Sequence, residues 1–170
     1  MPEMPNRAMG AALIAVLCFT LASCGFIPES VSLSDPRIKP LLDAVSAVDR
    51  ASLGFTPIPP NADVTWERRP RRDYDAMLHI YGRTSRTIAF RKTAEGFRWI
   101  SEAERYTGPH TYDSVDGEYR EYISVSYKTE PAARAGHPLK IRYRGEDPRL
   151  RRRKDLTWAD IKPILNEWGF

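Results

Sequence analysis

Histidine is the side chain that most readily changes charge near neutral pH, so His79, His110 and His137 are the first candidates for acid–base or metal chemistry. They are scattered over three segments. His79 sits between Met77 and Tyr81 in an alternating run and reads as a packed or edge histidine, while His110 and His137 lie in the turn-like contexts Gly108-Pro109-His110 and Gly136-His137-Pro138. No His-x-x-x-His spacing and no cysteine pair supplies a zinc site. A serine nucleophile would want a Gly-x-Ser-x-Gly elbow, and a phosphate site a glycine-rich loop; the chain has neither. Glu102, Glu104, Asp113, Asp116, Glu118 and Glu121 are numerous, but spacing picks out no two that converge and they read as solvated acids; Asp113, Asp116 and Glu118 lack the full calcium-loop pattern. No catalytic residue, metal or cofactor is expected.

Arginine carries the more distinctive pattern. The chain has 26 Lys plus Arg against 22 Asp plus Glu, and 20 of those cations are arginines. Arg68, Arg69, Arg71 and Arg72 form one cluster; Arg149, Arg151, Arg152, Arg153 and Lys154 form another. Each has acidic neighbours, so one reading is a pair of solvated loops with local ion pairing. The functional reading is contact with an anionic surface, where each cation near an anionic membrane adds about 1 kcal/mol within a Debye length. The basic residues are not interleaved with aromatics that could stack bases, and nucleic acid is not an expected partner. The aromatics fall mostly on alternating runs and suit core packing. Tyr122 alternates away from Ile123 and Val125 and shares its face with Arg120, so these two are the candidates for a wet binding face.

Positioning these residues requires elements, and the periodicities predict them. Asp35 can cap a helix and Pro36 suits its first position, with Ile38, Leu41, Leu42, Val45 and Val48 at helical spacing; Pro40 is awkward there, and the regular helix can begin only at that point. Gly54 is a plausible stop. From residue 62 the period becomes two. Alternating runs cover 64–67, 76–81, 86–93, 97–106, 119–129 and 139–143, with turn signals at Gly82-Arg83, Glu95-Gly96, Asp116-Gly117 and Ala135-Gly136. Thr157 and Asp160 resemble a capping box ahead of a second helix carrying Ile161, Ile164 and Leu165, with Pro163 inside it. The expected architecture is a single α+β domain over residues 35–170: an N-terminal helix, a five- or six-stranded antiparallel meander, and a C-terminal helix.

The N-terminus has a different character. Arg7 is followed by an apolar stretch from Ala11 to Leu21 and then by Leu21-Ala22-Ser23-Cys24. Glu3 is out of place in a positive start region, and initiation at Met4 would remove it. The apolar stretch is shorter than the ~20 residues a membrane-crossing helix needs. This arrangement resembles the signal and lipobox of bacterial lipoproteins. The resemblance implies that residues 1–23 are a cleaved signal, that Cys24 becomes the acylated first residue, and that Gly25 directs sorting to the periplasmic face of the outer membrane. Residues 24–34 would then be a lipidated tether. Two or more acyl chains anchor a protein stably, whereas one holds it marginally. Removal of 23 residues from 170 leaves 147, a single-domain length. The only other cysteine, Cys18, lies inside the signal, so no disulfide holds the mature fold.

The function expected from these readings is a lipid-anchored envelope lipoprotein, resembling small proteobacterial envelope lipoproteins, that acts as a non-catalytic binding module. Its partners would be membrane lipid through Cys24 and an envelope protein or anionic envelope polymer. The alternatives are a small periplasmic hydrolase or ligand-processing domain with a pocket on the sheet and His79 as base, or an inhibitor or immunity protein.

Overall fold

The structure, a computed structural model, describes residues 28–68, 73–109, 112–113, 118–119, 121–129 and 139–170. In chain order the elements are β1 (Glu29–Val31), α1 (Lys39–Ser46), β2 (Asp63–Glu67), β3 (Ala76–Tyr81), β4 (Ser85–Thr93), β5 (Gly96–Thr107), β6 (Tyr112–Asp113), β7 (Glu118–Tyr119), β8 (Tyr122–Lys128), β9 (Leu139–Arg144) and α2 (Trp158–Glu167). Seven strands form one sheet in the order β1-β2-β3-β4-β5-β8-β9, and every described pairing is antiparallel. The small β6–β7 ribbon is inserted between β5 and β8.

The α+β class and the meander are as the periodicities predicted, but the strand count is seven where five or six were expected. The extra strand is Glu29–Val31, inside the stretch that was expected to be a tether. Three residues are too short to show a period, and their strand state comes from pairing across to Val64–Trp66. The alternating run at 119–129 is split, because Glu118–Tyr119 joins the ribbon and Tyr122–Lys128 the main sheet.

The first helix is shorter than the apolar spacing allowed. It begins at Lys39, with Pro40 in its first turn, where a missing N–H costs least. Asp35 accepts a hydrogen bond from the Arg37 backbone at 2.9 Å, which makes a turn ahead of the helix. The second helix starts as its sequence prescribes: the Asp160 carboxylate accepts from the backbone N–H of Thr157 at 2.8 Å and from its hydroxyl at 2.7 Å.

Both helices contribute to the apolar cover of a single sheet face. One core cluster joins Ile38, Leu41 and Val45 to Leu78, Ile88, Phe90 and Trp99. The second joins Ile161, Ile164 and Leu165 to Tyr106, Ile123, Val125 and Ile141. Each fully buried aliphatic side chain contributes about 1.5–3 kcal/mol. A register shift at Ala89/Phe90 sets Phe90 opposite Trp99 while Ile88 stays opposite Glu102. That irregularity keeps both Phe90 and Trp99 on the core face.

Candidate functional site

Between the two apolar clusters, on the same inner face, lies a charged layer. Arg86 of β4 and Glu102 and Glu104 of β5 point inward in phase with Ile88, Phe90 and Tyr106. The two glutamates are 1% and 0% exposed, which corrects the expectation that they are solvated acids. Their alternation was visible in the sequence as charge in step with core positions, a phase that a solvated acid does not need.

Arg50, from the turns after α1, closes this layer. Its Nε and Nη2 donate to the Glu102 carboxylate at 2.7 and 2.5 Å, and Trp99 Nε1 donates to the same carboxylate at 3.3 Å. Glu104 accepts from Arg86 Nη2 at 2.7 Å and from the hydroxyls of Thr84 and Thr56, each at 2.8 Å. Burial alone raises the Glu104 carboxyl, but the Arg86 charge and these three donors outweigh it and hold the group below its ordinary value. The Tyr106 hydroxyl is pushed up by burial and by the neighbouring Glu104 charge, so it stays protonated. Two cations thus face two anions, and the layer is electrically balanced.

The outer face is built differently. At the β5–β8–β9 end its side chains, read from the register, are Ser101, Ala103, Arg105 and Thr107, then Tyr122, Ser124, Ser126 and Lys128, then Lys140, Arg142 and Arg144. Arg105, Ser124 and Arg142 form one row across the three strands. No Asp or Glu occupies these positions. Arg105, Lys128, Lys140, Arg142 and Arg144 are all exposed, around a floor of small hydroxyl side chains on β8. The Arg105 guanidinium lies 4.6 Å from the Tyr122 ring centroid, a contact worth about 0.5–1 kcal/mol at an exposed site.

Tyr122 is therefore on the wet face, as its alternation predicted, with Arg105 as its cationic partner across the sheet. Arg120 lies outside the described residues, as do Cys24, Arg69, Arg71, Arg72, His110 and His137. Arg68 is exposed just past β2. In the second cluster Arg149 pairs with Asp147 and Glu167, Arg151 with Glu146, and Arg153 with Asp160. Arg152 and Lys154 are exposed and have no ion-pair partner among the described residues. Most of that cluster is thus engaged locally. The cation band on the outer face, which clustering in sequence did not show, is made by cross-strand register.

His79 also lies on the outer face, with Nδ1 3.4 Å from the Thr87 hydroxyl. Among the described residues no group of three or more His, Cys, Asp or Glu side chains is placed to hold a metal ion. No described helix is long and apolar enough to cross a membrane. No family model matches the chain, and neither a curated protein nor a solved structure matches it.

Proposed function

We propose that this chain is a lipid-anchored envelope protein that binds an anionic polymer with the outer face of its sheet. The observation that carries this reading is the cation band of Arg105, Lys128, Lys140, Arg142 and Arg144, with no acid in register among them. Low-affinity attraction summed over such a band concentrates a polyanion, and the serines of β8 offer donors and acceptors to its sugar or phosphate groups. The anchor reading rests on Leu21-Ala22-Ser23-Cys24.

The topology favours a polymer over the bilayer that would hold the anchor. If Cys24 is the anchor, β1 begins five residues later, and that segment reaches at most about 18 Å. The cation band occupies the far end of the sheet, four to six strand spacings or about 19–29 Å from β1. The membrane-proximal edge is then the one without the band.

The test is binding of dextran sulfate, and separately of phosphatidylglycerol vesicles, to the lipidated chain in nanodiscs of neutral lipid. Dextran sulfate should bind, and a double variant with Arg105→Glu and Arg142→Glu should lose about tenfold or more in affinity at unchanged Tm. Binding unaffected by the double variant, or confined to the vesicles, rejects the polymer reading. For the anchor, Cys24→Ser should shift the protein out of the membrane fraction; a variant that remains there and is correctly processed rejects it.

A further inference from the structure

The inner face of the sheet opens at one corner into a cavity of about 250 Å³. Its walls come from the β3–β4 turn, from the connection through Thr56 and Pro57, and from the ring of Phe170. Ile80, Tyr106 and Phe170 make one side apolar, and the Phe170 ring stands edge-on to Tyr106 at 5.3 Å between centroids. Arg83 and Arg86 supply the charge, and no Asp or Glu is among the lining residues. Arg83 is exposed at the mouth, where it donates to the Gly169 carbonyl and lies 4.9 Å from the Phe170 ring centroid.

Arg86 is the unusual member. It is 3% exposed, yet its bonding is incomplete. A guanidinium has five N–H donors. Nη2 serves Glu104 and the Thr56 hydroxyl, and Nε faces Glu102 across 3.4 Å without a hydrogen bond. Nη1 meets no acceptor among the described residues. An unsatisfied donor on a buried charge is costly, so an acceptor that reaches it gains more than the same contact at the surface. Glu102 and Glu104 already balance Arg50 and Arg86, and Arg83 has no ion-pair partner among the described residues. The Tyr106 hydroxyl stays protonated and adds no negative charge.

We propose that this cavity binds a small organic carboxylate. Its oxygens reach toward Arg86 and Arg83, and its apolar body lies against Ile80, Tyr106 and Phe170. A neutral molecule of the same shape gains the apolar contacts but not the charge-assisted ones, which are about twice as strong as neutral hydrogen bonds. This site is on the face opposite the cation band and stands independently of it.

Benzoate is the probe and benzamide its uncharged control. Each is titrated to about 20 mM, a range suited to ligands of so few atoms, into the isotope-labelled full chain while backbone and guanidinium resonances are followed by NMR. Benzoate should shift Thr84, Tyr106 and the Arg86 side chain, and benzamide should bind about tenfold more weakly. Arg83→Gln, an exposed change, should weaken benzoate about fivefold. Ile80→Phe should abolish binding by filling the cavity; if it does not fold, Arg83→Gln still decides. The proposal is overturned by an absence of shifts at the cavity, by equal responses to the two probes, or by an unchanged response in Arg83→Gln. Shifts confined to Arg105 and Arg142, or a long-lived water on Arg86 that neither probe displaces, would overturn it too. Because the two faces report through separate resonances, failure here leaves the outer-face reading standing.

Discussion

Arg50 and Glu102, 52 positions apart in the chain, form a two-bonded ion pair at 2.7 and 2.5 Å in the middle of the core. Arg50 is 9% exposed and Glu102 1%. The pair joins the segment after α1 to the longest strand of the sheet, at the junction between the two apolar clusters.

Removing one partner of that pair strands a charge in the interior. Glu102→Leu is expected to lower unfolding free energy by about 3–5 kcal/mol in urea titration. The double change Arg50→Met with Glu102→Leu should recover much of the loss, since no charge of the pair is then left alone. A double variant no more stable than the single one contradicts the pairing.

Glu104 gives the fold an acid limit. Its carboxyl is held below the ordinary 4.5 because Arg86 and the Thr84 and Thr56 hydroxyls outweigh its burial. A folded-state value below the unfolded one contributes stability that is fully present above about pH 4.5 and is lost as pH falls through the depressed folded value. Chemical unfolding followed from pH 7 to pH 3 should show that decline. Glu104→Gln should be less stable at pH 7 and flatter across the same range; an identical slope in both proteins would contradict the assignment.

Gly54 is required by two independent constraints. Its φ is +84°, and a Cβ there would collide with the Trp158 indole ring. The Trp158 Nε1 donates to the neighbouring Leu53 carbonyl at 3.1 Å, so the ring is tied in place. Gly54→Ala should cost about 1–3 kcal/mol, read as a lowered Tm with a shift in tryptophan fluorescence. Trp158→Leu removes the obstacle and should make the alanine substitution less costly.

Asp160 closes the N-terminus of α2 through the Thr157 backbone and hydroxyl. Asp160→Ala should lower stability by about 1 kcal/mol, while Asp160→Asn keeps an acceptor and should lose less. Equal losses for the two in thermal unfolding would mean that the cap is not what Asp160 provides.

Much of this layout was legible in the linear chain. The strands at 76–81 and 139–144 alternate cleanly because one side of each is in the core and the other in water. The cap of α2 was legible because Thr157 and Asp160 are only three positions apart. The candidate binding face was legible only in Tyr122 and in the one-sided basic pattern of β9. The clusters at 68–72 and 149–154 drew attention because their cations are adjacent, yet Arg149, Arg151 and Arg153 are occupied by Asp147, Glu167, Glu146 and Asp160. The short β1 carried no signal, since its pairing belongs to a partner strand more than thirty residues away.

Local order in the sequence therefore determined the helices and the antiparallel meander, because periodicity, caps and turns act over a few residues. The tertiary structure decided which charges are neighbours. Register across β5, β8 and β9 brings Arg105 into one row with Arg142 across Ser124, and packing of the segment after α1 brings Arg50 to Glu102. Electrostatic energy depends on distance in space and on burial, and separation along the chain encodes neither.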